Sequence, residues 1–170
     1  MSASNARTAT GLVVVHAVQP ALTRQLQWTV SGVLDTEIFL DWTPQPGITG
    51  SMRSEFIWQG QEHHGAHLAS ALAGWQNIYF EVTQDPSSGH SGSRWCHTPE
   101  LGINHRTIDE LGNIVIGEDE MRAALNRAGN NMGKLQGEMR NLLAQPWDSI
   151  LEPLRHANAD ARVVWLQRAI

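Results

Sequence analysis

Gly11-Leu12-Val13-Val14-Val15-His16-Ala17 reads as an apolar strand, and the elements that follow it decide the fold. Pro20 to Leu34 has helical spacing, with Leu22, Leu26, Val30, Val33 and Leu34 forming one stripe. Pro20 suits the first helical position, where its missing N–H costs nothing. Ile38 to Trp42 alternates and reads as a second strand. Thr43-Pro44-Gln45-Pro46-Gly47 is a turn, and Ser51 to Gln59 alternates again. His63 to Trp75 returns to helical spacing through Leu68, Ala71, Leu72 and Trp75. Asn77 to Thr83 alternates last, with Ile78, Phe80 and Val82 inward and Tyr79, Glu81 and Thr83 outward. Strand, helix, strand, strand, helix, strand is a split β-α-β unit, which predicts a ferredoxin-like antiparallel sheet with two helices over residues 11–84. The leading strand is apolar on both faces, as befits a central strand. Gly32 inside the first helix costs about 1 kcal/mol against Ala, which suggests close packing there.

Outward from this unit, Met1 to Thr10 is polar and small and is expected to be a disordered start. Asp85-Pro86-Ser87-Ser88-Gly89-His90-Ser91-Gly92 is turn-rich and is the expected break between halves. Residues 93–170 then read as a strand-helix extension packed on the first half, within a single domain. Arg94 to His97, Leu101 to Thr107 and Asn113 to Ile116 are expected strands. Glu118 to Arg127, Met132 to Leu143 and a segment opened by Pro146 are expected helices, and Arg162 to Leu166 is expected to be a final strand. The fold class is therefore α+β, the ferredoxin-like half being extended by further strands and helices.

Composition narrows the function classes. A chain of 170 residues that is 41% hydrophobic and 17% charged has the material for an ordered core. Its 12 basic residues are scattered and its net charge is -5, so nucleic acid is not expected as a partner. No apolar run approaches a membrane span and no signal-peptide pattern opens the chain, so a cytoplasmic location without membrane contact is expected. One cysteine, Cys96, forms no internal disulfide.

Few residues carry chemistry. His63 and His67 are four apart on one helical face, but no third ligand and no H-E-x-x-H glutamate accompany them, so no metal is expected. Cys96 and His97 are adjacent and point to opposite faces of a strand, so they do not meet as nucleophile and base. A small enzyme using Cys96 with His16 or His105 across the sheet is the rival reading. Asp85 to Gly92 leads to Arg94, and its backbone N–H groups with that guanidinium would suit an anion, although no phosphate-loop pattern is present. Of seven tryptophans, Trp28 falls beside its helix stripe, while Trp95 and Trp165 stand in Arg-containing strands, the chemistry of interface anchors. The candidate binding residues are thus Asp85, Arg94, Trp95, His97 and Trp165, with no catalytic residue and no cofactor.

Several stretches also carry a resemblance. They are Asp85-Pro86-Ser87-Ser88-Gly89, Arg94-Trp95-Cys96-His97-Thr98-Pro99-Glu100-Leu101-Gly102, Val15-His16-Ala17, Pro146-Trp147-Asp148, Leu151-Glu152-Pro153 and Val164-Trp165-Leu166. Together they resemble a family of small cytoplasmic actinobacterial proteins known only as a domain of unknown function. The resemblance brings no activity, cofactor or catalytic residue. It implies proximity to fatty-acid synthesis, hence a fatty-acid or acyl-CoA metabolic enzyme as partner. With the three chemical absences, this predicts a non-enzymatic protein-binding or regulatory module. The alternatives are a sensor of an acyl-CoA-like anion and the Cys96 enzyme.

Overall fold

β1 (Thr8–Val18) is the strand on which the sheet is built. In the computed structural model, which describes residues 8–157, β1 pairs antiparallel on both sides. A short 3-10 turn (Pro20–Leu22) leads into α1 (Thr23–Leu34). Then come β2 (Thr43–Pro44), β3 (Met52–Gln61), α2 (His64–Ala73) and β4 (Tyr79–Gln84). The sheet order begins β2-β3-β1-β4, the ferredoxin-like order. β5 (Gly92–Thr98), β6 (Gly102–Ile108) and β7 (Ile114–Val115) continue it as a meander into one seven-stranded antiparallel sheet. α3 (Glu118–Ala128), α4 (Met132–Leu142) and α5 (Gln145–His156) follow. The α+β class holds, and the two halves share one sheet.

Alternation sorts the side chains between two helical layers. Val13, Val15, Phe80 and Val82 face α1 and α2, where they meet Leu26, Val30, Leu68 and Leu72 in the main core. Trp58, 1% exposed, anchors it and donates from Nε1 to the carbonyl of Thr83 at 3.1 Å. Burying each such large apolar side chain contributes about 1.5–3 kcal/mol. The opposite face carries Val14, His16, Glu81, Arg94 and Cys96 under α5. Farther along the same face, Arg106 reaches Glu120 of α3 and the carbonyl of Asn141 in α4.

Four differences from the sequence reading have clear causes. First, β1 begins at Thr8, inside the stretch expected to be disordered, because Thr8 to Thr10 pair with Gln59 to Gln61. Second, the turn-rich segment 85–92 does not divide the chain. It closes a β4–β5 hairpin in which Gln84 faces Ser93, and Ser87 and His90 bridge within the loop. Third, Ile38 to Trp42 keeps the burial alternation expected of it, with Leu40 buried and Phe39 75% exposed, yet it is not a strand. The N–H of Ile38 is taken by Ser31 Oγ at 3.0 Å and that of Leu40 by Gln27 Oε1 at 3.0 Å. Side chains of α1 thus satisfy backbone groups that a sheet ladder would have used. Fourth, Gly32 is not a close-packing glycine, since an added Cβ there would meet nothing among the described residues within 4 Å. The strand expected over Arg162 to Leu166 lies outside the described residues.

Candidate functional site

Glu81 occupies the centre of β4 and faces away from α1 and α2. The sequence pattern marks such a position as outward, but α5 covers it, leaving its side chain 12% exposed. α5 is opened by Pro146 and brings Asp148, Leu151 and Arg155 over the sheet at spacings of three and four, one helical stripe. Arg155 grips Glu81 bidentately, Nε to Oε2 at 2.9 Å and Nη2 to Oε1 at 2.6 Å. Arg94 from β5 donates to Oε1 from Nε at 3.2 Å and from Nη2 at 2.6 Å. Both guanidinium groups also reach Asp148 Oδ1, at 2.5 Å from Arg94 and 2.8 Å from Arg155. His16 of β1 closes the set, its Nε2 lying 2.7 Å from Glu81 Oε2. An ionised carboxylate only accepts, so His16 Nε2 carries the shared proton. His16 Nδ1 is buried and has no hydrogen-bond partner among the described residues.

Two carboxylates and two guanidinium groups compensate one another inside this cluster. Burial pushes the Glu81 carboxyl up. Hydrogen bonds from His16 and Arg155 and the neighbouring charges of His16 and Arg94 outweigh that and hold it well below the ordinary carboxylate range. For both arginines burial works against the charged form, and Glu81 and Asp148 more than restore it, raising their pKa above the usual value. The lone pairs and N–H groups are directed at one another, so the arrangement works as a clasp between α5 and the sheet. Gln45, 2% exposed, adds a neutral tie beside it, donating from Nε2 to the carbonyls of His16 and Leu154 at 2.7 and 3.3 Å.

Cys96 shares this face, with its Sγ 4.0 Å from Glu81 Oε1. Burial, then the negative charges of Glu81 and Asp148, push its thiol up to about 12 against the opposing pull of Arg94 and Arg155. The thiol is therefore protonated at neutral pH, the reverse of what a nucleophile needs. His105, one of the bases considered for it, is on the other face, stacked on Trp95 at 4.8 Å. His16 is on the same face with its donor nitrogen committed to Glu81. Alkylation of native protein by iodoacetamide at pH 7 is expected to run roughly a thousandfold slower than that of the unfolded chain. Equal rates would show an accessible thiolate.

The other expected site residues separate. Arg94 and Trp95 point to opposite faces, so they do not form one interface anchor, and the Arg94 guanidinium is engaged under α5. Trp95 is half-buried beside α2, where its ring lies 3.1 Å from the position of a Cβ on Gly65. His97 is buried, stacks on Phe80 at 5.1 Å and donates from Nδ1 to the carbonyl of Ile78 at 2.9 Å. Asp85 accepts from Thr10 Oγ1 at 2.8 Å, and its N–H donates to the Thr10 carbonyl. Trp165 lies outside the described residues. The His63 ring lies 4.7 Å from those of His64 and His67, but His64 is turned inward, its Nδ1 accepting from the N–H of Gln61 at 3.2 Å. Burial and then the charge of His63 lower its pKa. Among the described residues no group of three such side chains is placed to hold a metal ion.

Among the described residues, one surface is left open. α2 reaches β5 but the same side of β6 and β7 presents Ile103, His105 and Val115, all exposed, next to the Trp95–His105 stack. Sequence reasoning found Trp95 and missed the rest, because β6 reads as a polar strand whose alternation gives no sign of which helices stop short of it.

Among the described residues no helix is long and apolar enough to cross a membrane. No curated protein and no solved structure matches the chain. The family model described as "Protein of unknown function (DUF3145)" matches residues 12–168, and the chain belongs to that family.

Proposed function

We propose that this chain is a non-enzymatic protein-binding module, and that its partner packs on the open β5–β7 face. The observation that carries the reading is the exposed row of Ile103, His105 and Val115 beside Trp95, with Ile103 and Val115 each 45% exposed. An aromatic stack flanked by aliphatic side chains on a rigid sheet has the chemistry of an interface centre. The charged cluster supports the same reading from the other side, since its groups are spent on holding α5. A free anion finds little there: Arg94, the cation expected beside the 85–92 loop, is already bound to Glu81 and Asp148. The partner class implied by the family resemblance is an enzyme of fatty-acid or acyl-CoA metabolism.

The test compares the wild-type chain with Ile103→Asp and Val115→Asp as tagged baits in the source lysate. Both positions are exposed, so unfolding midpoints are expected to stay unchanged. A partner recovered stoichiometrically by the wild type is expected to be lost from both variants. Equal recovery by all three would remove the partner from this face.

A further inference from the structure

In the ferredoxin-like order the strand after α1 runs along the outer side of β3. Here that strand is reduced to Thr43 and Pro44, which pair with Arg53 and Met52 alone. The chain before them is drawn toward α1 by Ser31 and Gln27. Among the described residues, the outer edge of β3 from Ser54 to Gln61 consequently pairs with no strand. Its other edge is in unbroken register with β1, from Ser54 facing Val15 to Gln61 facing Thr8, so no bulge turns it aside. The stretch Ser54-Glu55-Phe56-Ile57-Trp58-Gln59-Gly60-Gln61 holds no lysine and no proline, and Glu55 is its single charge. Sheet proteins usually blunt an edge with those devices or by shortening it, as this chain does at β7.

We infer that the outer edge of β3 is a self-association site, where a second copy of the chain adds its own β3 antiparallel about a two-fold axis through Ile57. The pattern of the strand is self-complementary in that register. Ile57, 53% exposed, faces Ile57 of the second copy, and each covers the other. Glu55 faces Gln59 of the second copy, so no like charges are opposed and the carboxylate gains an amide donor. Phe56 faces Trp58 of the second copy on the α1 side. Such a contact is isologous and closes at two copies, with the two sheets continuous through the join. It uses a surface separate from the open β5–β7 face and stands without it.

Sedimentation equilibrium of the full chain at micromolar concentration tests this. The expected mass is twice the 18.8 kDa of one chain. Ile57→Lys, which sets two ammonium groups against each other across the axis, is expected to give single chains that still unfold cooperatively, with a midpoint that no longer depends on protein concentration. Ile57→Cys in a Cys96→Ser background is expected to form an intermolecular disulfide under mild oxidation, while Gln59→Cys in that background is not. The cross-linking pair keeps the register testable should Ile57→Lys fail to fold. A wild-type chain that sediments as one copy would overturn the inference. A dimer that survives Ile57→Lys, or one in which Ile57→Cys does not cross-link, would overturn it equally.

Discussion

Replacing Glu81 by Gln is expected to lower the unfolding free energy by about 3–5 kcal/mol, the cost of leaving a buried charge uncompensated. The amide nearly matches the carboxylate in shape, so little packing changes. It accepts through one atom instead of two, and its NH2 group is set against a guanidinium. Arg94 and Arg155 keep Asp148, which is shared between them and is the more exposed acid at 34%. Glu152→Gln is the control. That carboxylate also bonds Arg155, through Nη1 at 2.8 Å, but its side chain is 54% exposed, and its loss is expected to cost no more than about 1 kcal/mol. Urea unfolding of the three proteins measures both values. A Glu81→Gln protein within 1 kcal/mol of the wild type would mean that α5 is not clasped through this carboxylate.

The same carboxylate sets a pH dependence. Its pKa in the folded chain is depressed, so the unfolded chain takes up a proton first as the pH falls. The stabilisation is present in full above the ordinary value of 4.5 and is lost as the pH drops from there toward the folded-state value. Glu81→Gln is expected to remove this part of the acid dependence, and its stability curve is expected to approach that of the wild type at low pH.

Gly11→Ala is expected to be the second severe change. A Cβ on Gly11 would lie 1.9 Å from the carbonyl oxygen of Thr83 and 2.7 Å from Trp58 Nε1. Overpacking a core with side chains that can rotate away costs about 1–3 kcal/mol. Here the obstacle is backbone, and that same oxygen accepts the Trp58 hydrogen bond. Relief requires β1 and β4 to part at the point where Gly11 faces Gln84, so the loss is expected to exceed that range or to abolish folding. Gly32→Ala makes the contrast. It sits in α1 with no described residue within 4 Å of the new methyl, and is expected to gain about 0.5–1 kcal/mol from helix propensity. Thermal unfolding of the two variants should therefore shift in opposite directions. A Gly11→Ala chain as stable as the wild type would contradict the close approach of the two strands.

These cases show what a sequence pattern carries. The period-2 burial of Val13, Val15, Phe80 and Val82 and the stripes of α1 and α2 are properties of single elements, so the ferredoxin-like half was legible. The segment from Ile38 to Trp42 shows the limit, because alternation reports which side chains are buried and not where the backbone N–H groups go. Ser31 and Gln27, polar positions within α1, decided that. From sequence Glu81 reads as outward because its strand has one clear apolar face. The hint to the contrary lay in β1, apolar on both faces, and in Asp148 and Arg155, charged residues flanking the buried Leu151 on one stripe of α5. Bringing Glu81, Arg94, Asp148 and Arg155 together needs elements up to 74 residues apart. No local period encodes that. Trp95 stands beside Arg94 in the sequence, yet neighbours on a strand face opposite ways.

A clasp under α5 holds the fold, and the open β5–β7 face is the surface proposed for a partner. Hydrogen exchange of the chain, free and saturated with the partner it captures, tests that division most directly. Slowed exchange confined to β6 and β7, with α5 and β4 unchanged, is the predicted result. Protection of α5 around Asp148 and Arg155, with β6 and β7 exchanging as in the free chain, would contradict it.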